Sequence, residues 1–316
     1  MAVKIITDSS SDIAPEVAQE LGITVVPLYV CFGDKVYRDR VDIKEDEFYR
    51  RLVEGPFYPT TSQPAPADLV EVYSKLAEET DEIVSIHASS KLSGTYNAAL
   101  LAKEAVSKKC HIEVVDSQWV TIALGLIAMG AAKAAETGDS LQQVIDGVRQ
   151  AITQTRLLVA LDTLKYLAKG GRIGKAKSLL GTVLNVKPLV AMREGEIVPV
   201  GLARSRAKAI ERLFEFARSA KETQEVAIVH STTPEESRTL AERIAALFPI
   251  RRPHISRLGP VVGTHAGPGT AFVAVQRGDE EVKPGNAEDR PVKRRFSLPS
   301  LRSPRLTLSC SLPGPR

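Results

Sequence analysis

At 316 residues the chain can hold two cored domains, and 43% hydrophobic with 25% charged residues fits a folded globular protein rather than a disordered or fibrous one. The formal charge of +4 is concentrated at one end: residues 277–316 carry nine Lys/Arg against five Asp/Glu, which leaves 33 of each over 1–276. A neutral body gives a nucleic-acid partner no support. Three isolated cysteines (Cys31, Cys110 and Cys310), with no CxxC pair, give none to a zinc site or a disulfide framework.

The chain opens on "MAVKIITDSSSD", without a basic segment leading into a long apolar run, so no signal peptide is expected and the expected location is the cytoplasm. "VKIIT" (3–7) reads as a strand and "APEVAQELG" (14–22) as a helix stopped by Gly22. "ITVVPLYVCF" and "KVYRD", joined at Gly33-Asp34, read as a β-hairpin. "DEFYRRLVEG" is a helix, "PTTSQPAP" a turn-rich loop, and Pro66 suits the first turn of the helix "ADLVEVYSKLAEE". Next come a strand "DEIVSIHA", a helix over 93–107, a strand "HIEVVD", and helices over 119–136 and 140–155. The most apolar stretch, "WVTIALGLIAMGAA" (119–132), is shorter than the roughly 20 residues that span a bilayer. It reads as a buried core helix, and no stable membrane insertion is expected.

After residue 153 the rhythm changes. "RLLVALDTL" is a strand running into a short helix, and "KGGRIGK" is a glycine-rich loop before a helix over 176–184. "NVKPLVAMREGEIVPVGLA" is two strands around a turn at Glu194-Gly195. Helix 205–220, strand "EVAIVHS", helix 234–247, a strand near "HISRLG", a loop "GTHAGPG" and a last strand "AFVAVQ" (271–276) complete the body. The expected fold is therefore two-domain α/β: a mainly parallel sheet flanked by helices over 1–153, and a second, mixed α/β domain over 154–276. Residues 277–316 are rich in proline and arginine and keep no apolar period. They read as disordered or loosely attached, or as an artefact such as a shifted reading frame.

The chemistry starts at "SSKLSGTYNAA", where Ser89, Ser90, Ser93 and Thr95 crowd a helix entrance at the carboxyl end of a strand. Open α/β sheets bind ligands beyond that end, and a helix N-terminus suits a carboxylate or phosphate. The plainer alternative is that Ser90 or Ser93 only caps the helix. Thr60, Thr61 and Ser62 form a second hydroxyl-rich entrance that could face the first across a crevice. A nucleophile elbow needs glycines at 91 and 95, where Lys91 and Thr95 stand; a serine hydrolase would need Ser93 with the distant His265 as base. His265, among glycines, is a better functional candidate than His111, His230 or His254, while His87 reads as a core histidine. "KGGRIGK" fails as a phosphate loop because Lys169 and Ala176 break the pattern, which counts against a module for phosphorylated metabolites; Arg172 remains an anion contact. Arg204 and Arg206 open a helix, a poor place for cations, which hints at an anionic partner. The strand-end acids in "TDSSSD" and "VVDSQ" read as structural.

The ordered set "DSSSDI", "VDI…EFY", "PTTSQPAP", "SSKLSGTYNAA", "VVDS", "LDTLKYLAKGGRIG", "VKPLV", "AIVH" and "GTHAGPG", from residue 7 to 269, resembles the DegV family of bacterial fatty-acid-binding proteins. The resemblance implies two α/β domains and a bound long-chain fatty acid (C14–C18, such as palmitate) as ligand, with no cofactor or metal. It implies a carrier without catalytic residues, presenting the acid to the separate ATP-binding subunit of a fatty acid kinase for acyl phosphate formation. By the same resemblance Thr61, Ser62 and Ser93 bind the carboxylate, Gly94 is a further ligand-binding residue, and His265, Arg172 and Arg204 lie near the head group or on the kinase-facing surface. The helix 119–132 is expected to border the acyl tunnel. Two departures stand out: residues 277–316 have no counterpart, and Arg40 stands where the family commonly has a small residue, so a strained turn is expected there.

Overall fold

The structure, a computed structural model, describes residues 3–106, 110–181, 185–220, 223–248 and 253–277. The expectations for residues beyond 277, and for the helix end at 182–184, lie outside the described residues.

The chain begins with β1 (Lys4–Asp8), a 3-10 turn over Ser9–Ser11, α1 (Pro15–Glu20) and β2 (Thr24–Val26). β3 (Tyr29–Phe32) and β4 (Lys35–Arg38) form the hairpin, α2 (Glu45–Glu54) follows, and β5 (Thr60–Ser62) returns against β3. Then come α3 (Pro66–Leu76), β6 (Glu82–His87), α4 (Thr95–Val106), β7 (His111–Asp116), α5 (Ile122–Glu136) and α6 (Leu141–Gln154). The second half holds β8 (Thr155–Ala160), α7 (Lys165–Lys169), a 3-10 turn over Gly174–Leu179, β9 (Lys187–Arg193), β10 (Glu196–Ala203) and α8 (Arg206–Ser219). It ends with β11 (Thr223–His230), α9 (Pro234–Ala245), β12 (His254–Arg257), α10 (Pro260–Ala266) and β13 (Ala271–Arg277).

Three sheets result. β2-β1-β6-β7 is wholly parallel, as the βα alternation implies. β4-β3-β5 is a small antiparallel sheet. β10-β9-β8-β13-β11-β12 is mixed: all its pairs are antiparallel except β11 with β12.

Four elements differ from expectation. The helix expected over 176–184 is, among the described residues, a 3-10 turn over Gly174–Leu179 that ends where Leu180 is extended. The run "ITVVPLYVCF" is two strands in two sheets, because Pro27 lacks an N–H and fixes φ where a continuous ladder would need both. Thr60–Ser62 is a strand rather than a loop, since β3 offers it an unpaired edge. "GTHAGPG" is largely helical: Pro260 lies in the first turn of α10, and Gly267, at φ 78, closes the helix in a conformation that costs glycine little.

From Ile122 to Met129 α5 is apolar all round because it is covered all round. Its core cluster joins Ile5 and Val84 of the parallel sheet to Leu157, Val159, Ala227 and Phe272 of the mixed sheet. Ile122, Leu124, Leu126 and Ile127 are fully enclosed, each worth about 1.5–3 kcal/mol. A second cluster packs α8 and α9 on the far face of the mixed sheet.

Arg40 adopts φ 61, so the expected strain is present. Its guanidinium is enclosed, donating to the Ile13 carbonyl at 2.9 Å and pairing with Asp12 at 3.2 Å and Glu45 at 3.1 Å. Burial pushes the Asp12 carboxyl up to about 6 and the Asp39 carboxyl up to about 7, with Arg40 opposing both shifts. Asp12 also accepts the Gly259 N–H at 2.8 Å, which ties this cluster to the start of α10.

Candidate functional site

The turn between β6 and α4 divides its hydroxyls between two tasks. Ser89 donates to the Gly195 carbonyl at 2.9 Å, and Ser90 is held by the Asp116 carboxylate. These two are structural, as are Asp116 and Asp8. Ser93 faces a cavity: its Oγ lies 2.8 Å from Thr95 Oγ1 and accepts the Thr95 N–H at 3.3 Å. It therefore braces Thr95, the first residue of α4, across Gly94, and lines the cavity as well.

β5 supplies the opposite side. Tyr58 donates to the Thr264 carbonyl at 2.8 Å and contacts the Tyr166 carbonyl at 3.2 Å, which fastens the approach to β5 onto α10 and α7. Thr61 Oγ1 then sits 2.9 Å from His265 Nε2. Burial first, and the neighbouring Arg172 cation second, push the His265 imidazole down to about 4, so the ring is neutral at neutral pH. Its Nδ1 is buried without a hydrogen-bond partner among the described residues. An orphaned acceptor is easier to bury than an orphaned N–H, so the proton belongs on Nε2. Nε2–H then donates to Thr61 Oγ1, and the Thr61 hydroxyl proton is left to point elsewhere. Arg172 is fixed by donating to the Leu92 carbonyl at 3.2 Å and the Gly170 carbonyl at 2.9 Å, with further guanidinium N–H groups left for an anion.

Thr61, Ser62, Ser93, Gly94, Arg172 and His265 all line this one cavity, whose space open to the centre of a water molecule is ≈ 210 Å³. Sequence reading missed Gln63 and Ser10 at its polar side, and the whole of its apolar wall. That wall comes from the mixed sheet and α10: Leu157, Val159 and Leu161 along one face of β8 and just beyond it, Val190 and Met192 of β9, Phe272 of β13, and Val261 and Val262. The alternation in "RLLVAL" was a usable signal, but an ordinary core strand shows the same pattern. α5 does not border the cavity among the described residues; only Val120, ahead of it, does. Enclosure between two sheets already accounts for its apolar character.

Arg204 is exposed between β10 and α8 and is not among the lining residues. Arg206 pairs with Glu236 and also donates to the Gly269 carbonyl, so the anion offsetting its poor position on α8 is internal. His87 is a core histidine, with Nδ1 3.1 Å from Asp8 and Nε2 2.8 Å from Ser85. No hydrogen bond joins Ser93 to His265 among the described residues, because each side chain is engaged elsewhere. The described residues hold no group of three or more His, Cys, Asp or Glu able to take a metal ion, and no helix long and apolar enough to cross a membrane.

A chain with parallel and mixed α/β sheets around an apolar cavity, closed at one side by hydroxyls, a neutral histidine and an arginine, is the class this geometry defines. The family described as "Uncharacterised protein, DegV family" matches residues 2–277, and the chain belongs to it. It is 35% identical over 274 residues, 86% of this chain and 97% of the relative, to a DegV domain-containing protein of Caldanaerobacter subterraneus subsp. tengcongensis. Among solved structures it is similar to a DegV family protein from Thermus thermophilus described by its fatty acid binding, with TM-score 0.81, 33% identity, and coverage of 87% of this chain and 100% of that one. It is also similar to a stearic acid-binding protein from Eubacterium ventriosum, with TM-score 0.80, 27% identity, and coverage of 87% and 98%.

Proposed function

We propose that this chain binds one long-chain fatty acid of C14–C18 and presents it, unreacted, to the ATP-binding subunit of a fatty acid kinase in the bacterial cytoplasm. The observation that carries the reading is the division of one cavity into an apolar wall from the mixed sheet and a polar cluster of Thr61, Ser62, Ser93, Arg172 and His265. The carboxylate accepts hydrogen bonds from the hydroxyls beside Gly94 at the start of α4, where the helix dipole also favours an anion. Because His265 donates to Thr61, the Thr61 hydroxyl is committed as a donor toward the carboxylate. Arg172 supplies the positive charge. Each methylene moved from water into the apolar wall contributes about 0.8 kcal/mol, so the tail sets affinity and the head sets orientation.

No base is needed, since a carrier breaks no bond. The alternative of a serine-dependent acyl hydrolase gains nothing from a Ser93 engaged with Thr95 and a His265 engaged with Thr61. A histidine held near 4 is also a weak base at neutral pH. Exposed Arg204 is assigned to the kinase-facing surface rather than to the head group. We further read residues 1–153 and 154–276 as the two domains.

Trp119, the single tryptophan, directly precedes Val120 of the cavity and lines the neighbouring groove, which makes it the natural fluorescent probe. Palmitate should change its fluorescence saturably. Thr61→Val, which keeps the shape and removes the donor, should weaken binding by about 1–2 kcal/mol, or roughly five- to thirtyfold. Undiminished binding by Thr61→Val would remove Thr61 from the head-group site. Short acyl esters should not be hydrolysed, and turnover lost in Ser93→Ala would overturn the carrier reading.

A further inference from the structure

A second concavity lies behind the apolar wall. β8 and β9 pair only over Leu158–Ala160 and Ala191–Leu189. Beyond that point the strands part: Arg156 and Leu157 remain bonded to β13, whereas Met192 and Arg193 remain bonded to β10. Leu157 and Met192 face each other across the split with no ladder between them. Both are almost wholly buried, at 3% and 6% exposure, so two apolar side chains plug a hole in the sheet. On the far side an open groove runs between the sheet and α8, and Leu157, Ala191 and Met192 line both it and the cavity. Its floor carries Trp119, Ile152, Phe216 and the exposed Val200.

The plug ends the apolar wall along β8. Leu161, Val159 and Leu157 line the cavity in sequence, and four residues of strand cover about 13 Å. An acyl chain in one bilayer leaflet spans about 15 Å, half of the hydrocarbon core, so the wall from Leu161 to the plug is of the length that one long chain covers. Methionine is unbranched and flexible, and Met192 can swing without a backbone change.

Resting on the fatty-acid reading, we propose that Leu157 and Met192 set the length limit of the cavity, and that the groove between β9 and α8 receives the methyl-terminal segment of chains longer than it holds. The ligand of the groove is thus the tail of the molecule whose head is held by the hydroxyl cluster.

The test is retention from an equimolar mixture of saturated C14 to C24 acids, followed by denaturing extraction and quantification. Each buried methylene is worth about fourfold, so Met192→Ala should raise the C22:C16 ratio by at least about tenfold over wild type. Val200→Asp, placed on an exposed groove residue, should lower that ratio by at least about threefold, and decides the matter if Met192→Ala does not fold. Wild type that retains no acid overturns the fatty-acid reading, and this inference with it. Wild type filled with C16, with the C22:C16 ratio unmoved in the folded variants, overturns this inference alone.

Discussion

Gly170 offers a clean perturbation of the site because its backbone is ordinary and its surroundings are not. Its φ of −79 suits any residue, yet a Cβ there would lie 2.1 Å from His265 Nδ1. Restoring ordinary contact at about 3.5 Å needs a shift of about 1.4 Å, which the ring must supply, since α7 is held against α10 by the bonds of Tyr58. A shift of that size away from Gly170 breaks or distorts the 2.9 Å contact of Nε2 with Thr61. Gly170→Ala should therefore weaken palmitate binding by about 1–3 kcal/mol, roughly five- to 150-fold, through the loss of one committed donor. The assay is a fluorescence titration on Trp119, with a thermal melt to show that the fold survives. Wild-type affinity in a folded Gly170→Ala protein would refute the role given to the His265–Thr61 pair.

Two further predictions concern charge. His265 is held near 4 against an ordinary 6.5, so the unfolded chain binds the proton more readily between those values. Its contribution, about 3 kcal/mol, is present above pH 6.5 and lost as pH falls through 4. Stability of wild type relative to His265→Gln should fall across that window in denaturant titrations, and parallel pH profiles would contradict the assignment. Arg40→Gly should relieve about 1 kcal/mol of left-handed strain but strip Asp12 of its buried partner at about 3–5 kcal/mol, so Tm should fall by on the order of 5–10 °C. Asp12 and Asp39 are raised to about 6 and 7, so their contribution is complete below the ordinary carboxylate range and lost as pH rises through those values. The deficit of Arg40→Gly should accordingly widen from pH 5 to pH 8, and a Tm equal to wild type at pH 8 would show that the Arg40 cluster carries no net stability.

Local chemistry made much of this legible. The hairpin at Gly33-Asp34, the βα alternation up to β7 and the β9–β10 turn are written in turn residues and apolar period. Strand order is not written there: nothing local places β13 between β8 and β11, because that pairing joins segments about a hundred residues apart. The helix α10 was hidden by its glycines, which read as a loop until Pro260 and Gly267 are seen as its two ends. In the site, the hydroxyls stood out because four of them crowd one helix entrance, although spacing did not separate the structural Ser89 and Ser90 from Ser93 of the cavity. The apolar wall did not, because Leu157, Val159 and Val190 differ from core residues only in facing empty space. The His265–Thr61 contact spans 204 positions and follows from the docking of β5 on α10 rather than from any spacing.

Whether the protein carries a fatty acid is read by native mass spectrometry of the purified protein, followed by denaturing extraction. A C14–C18 acid is expected at near-equal stoichiometry, released on denaturation without a covalent adduct. A protein that is empty as isolated, and that still takes up no added palmitate, would contradict the fatty-acid reading.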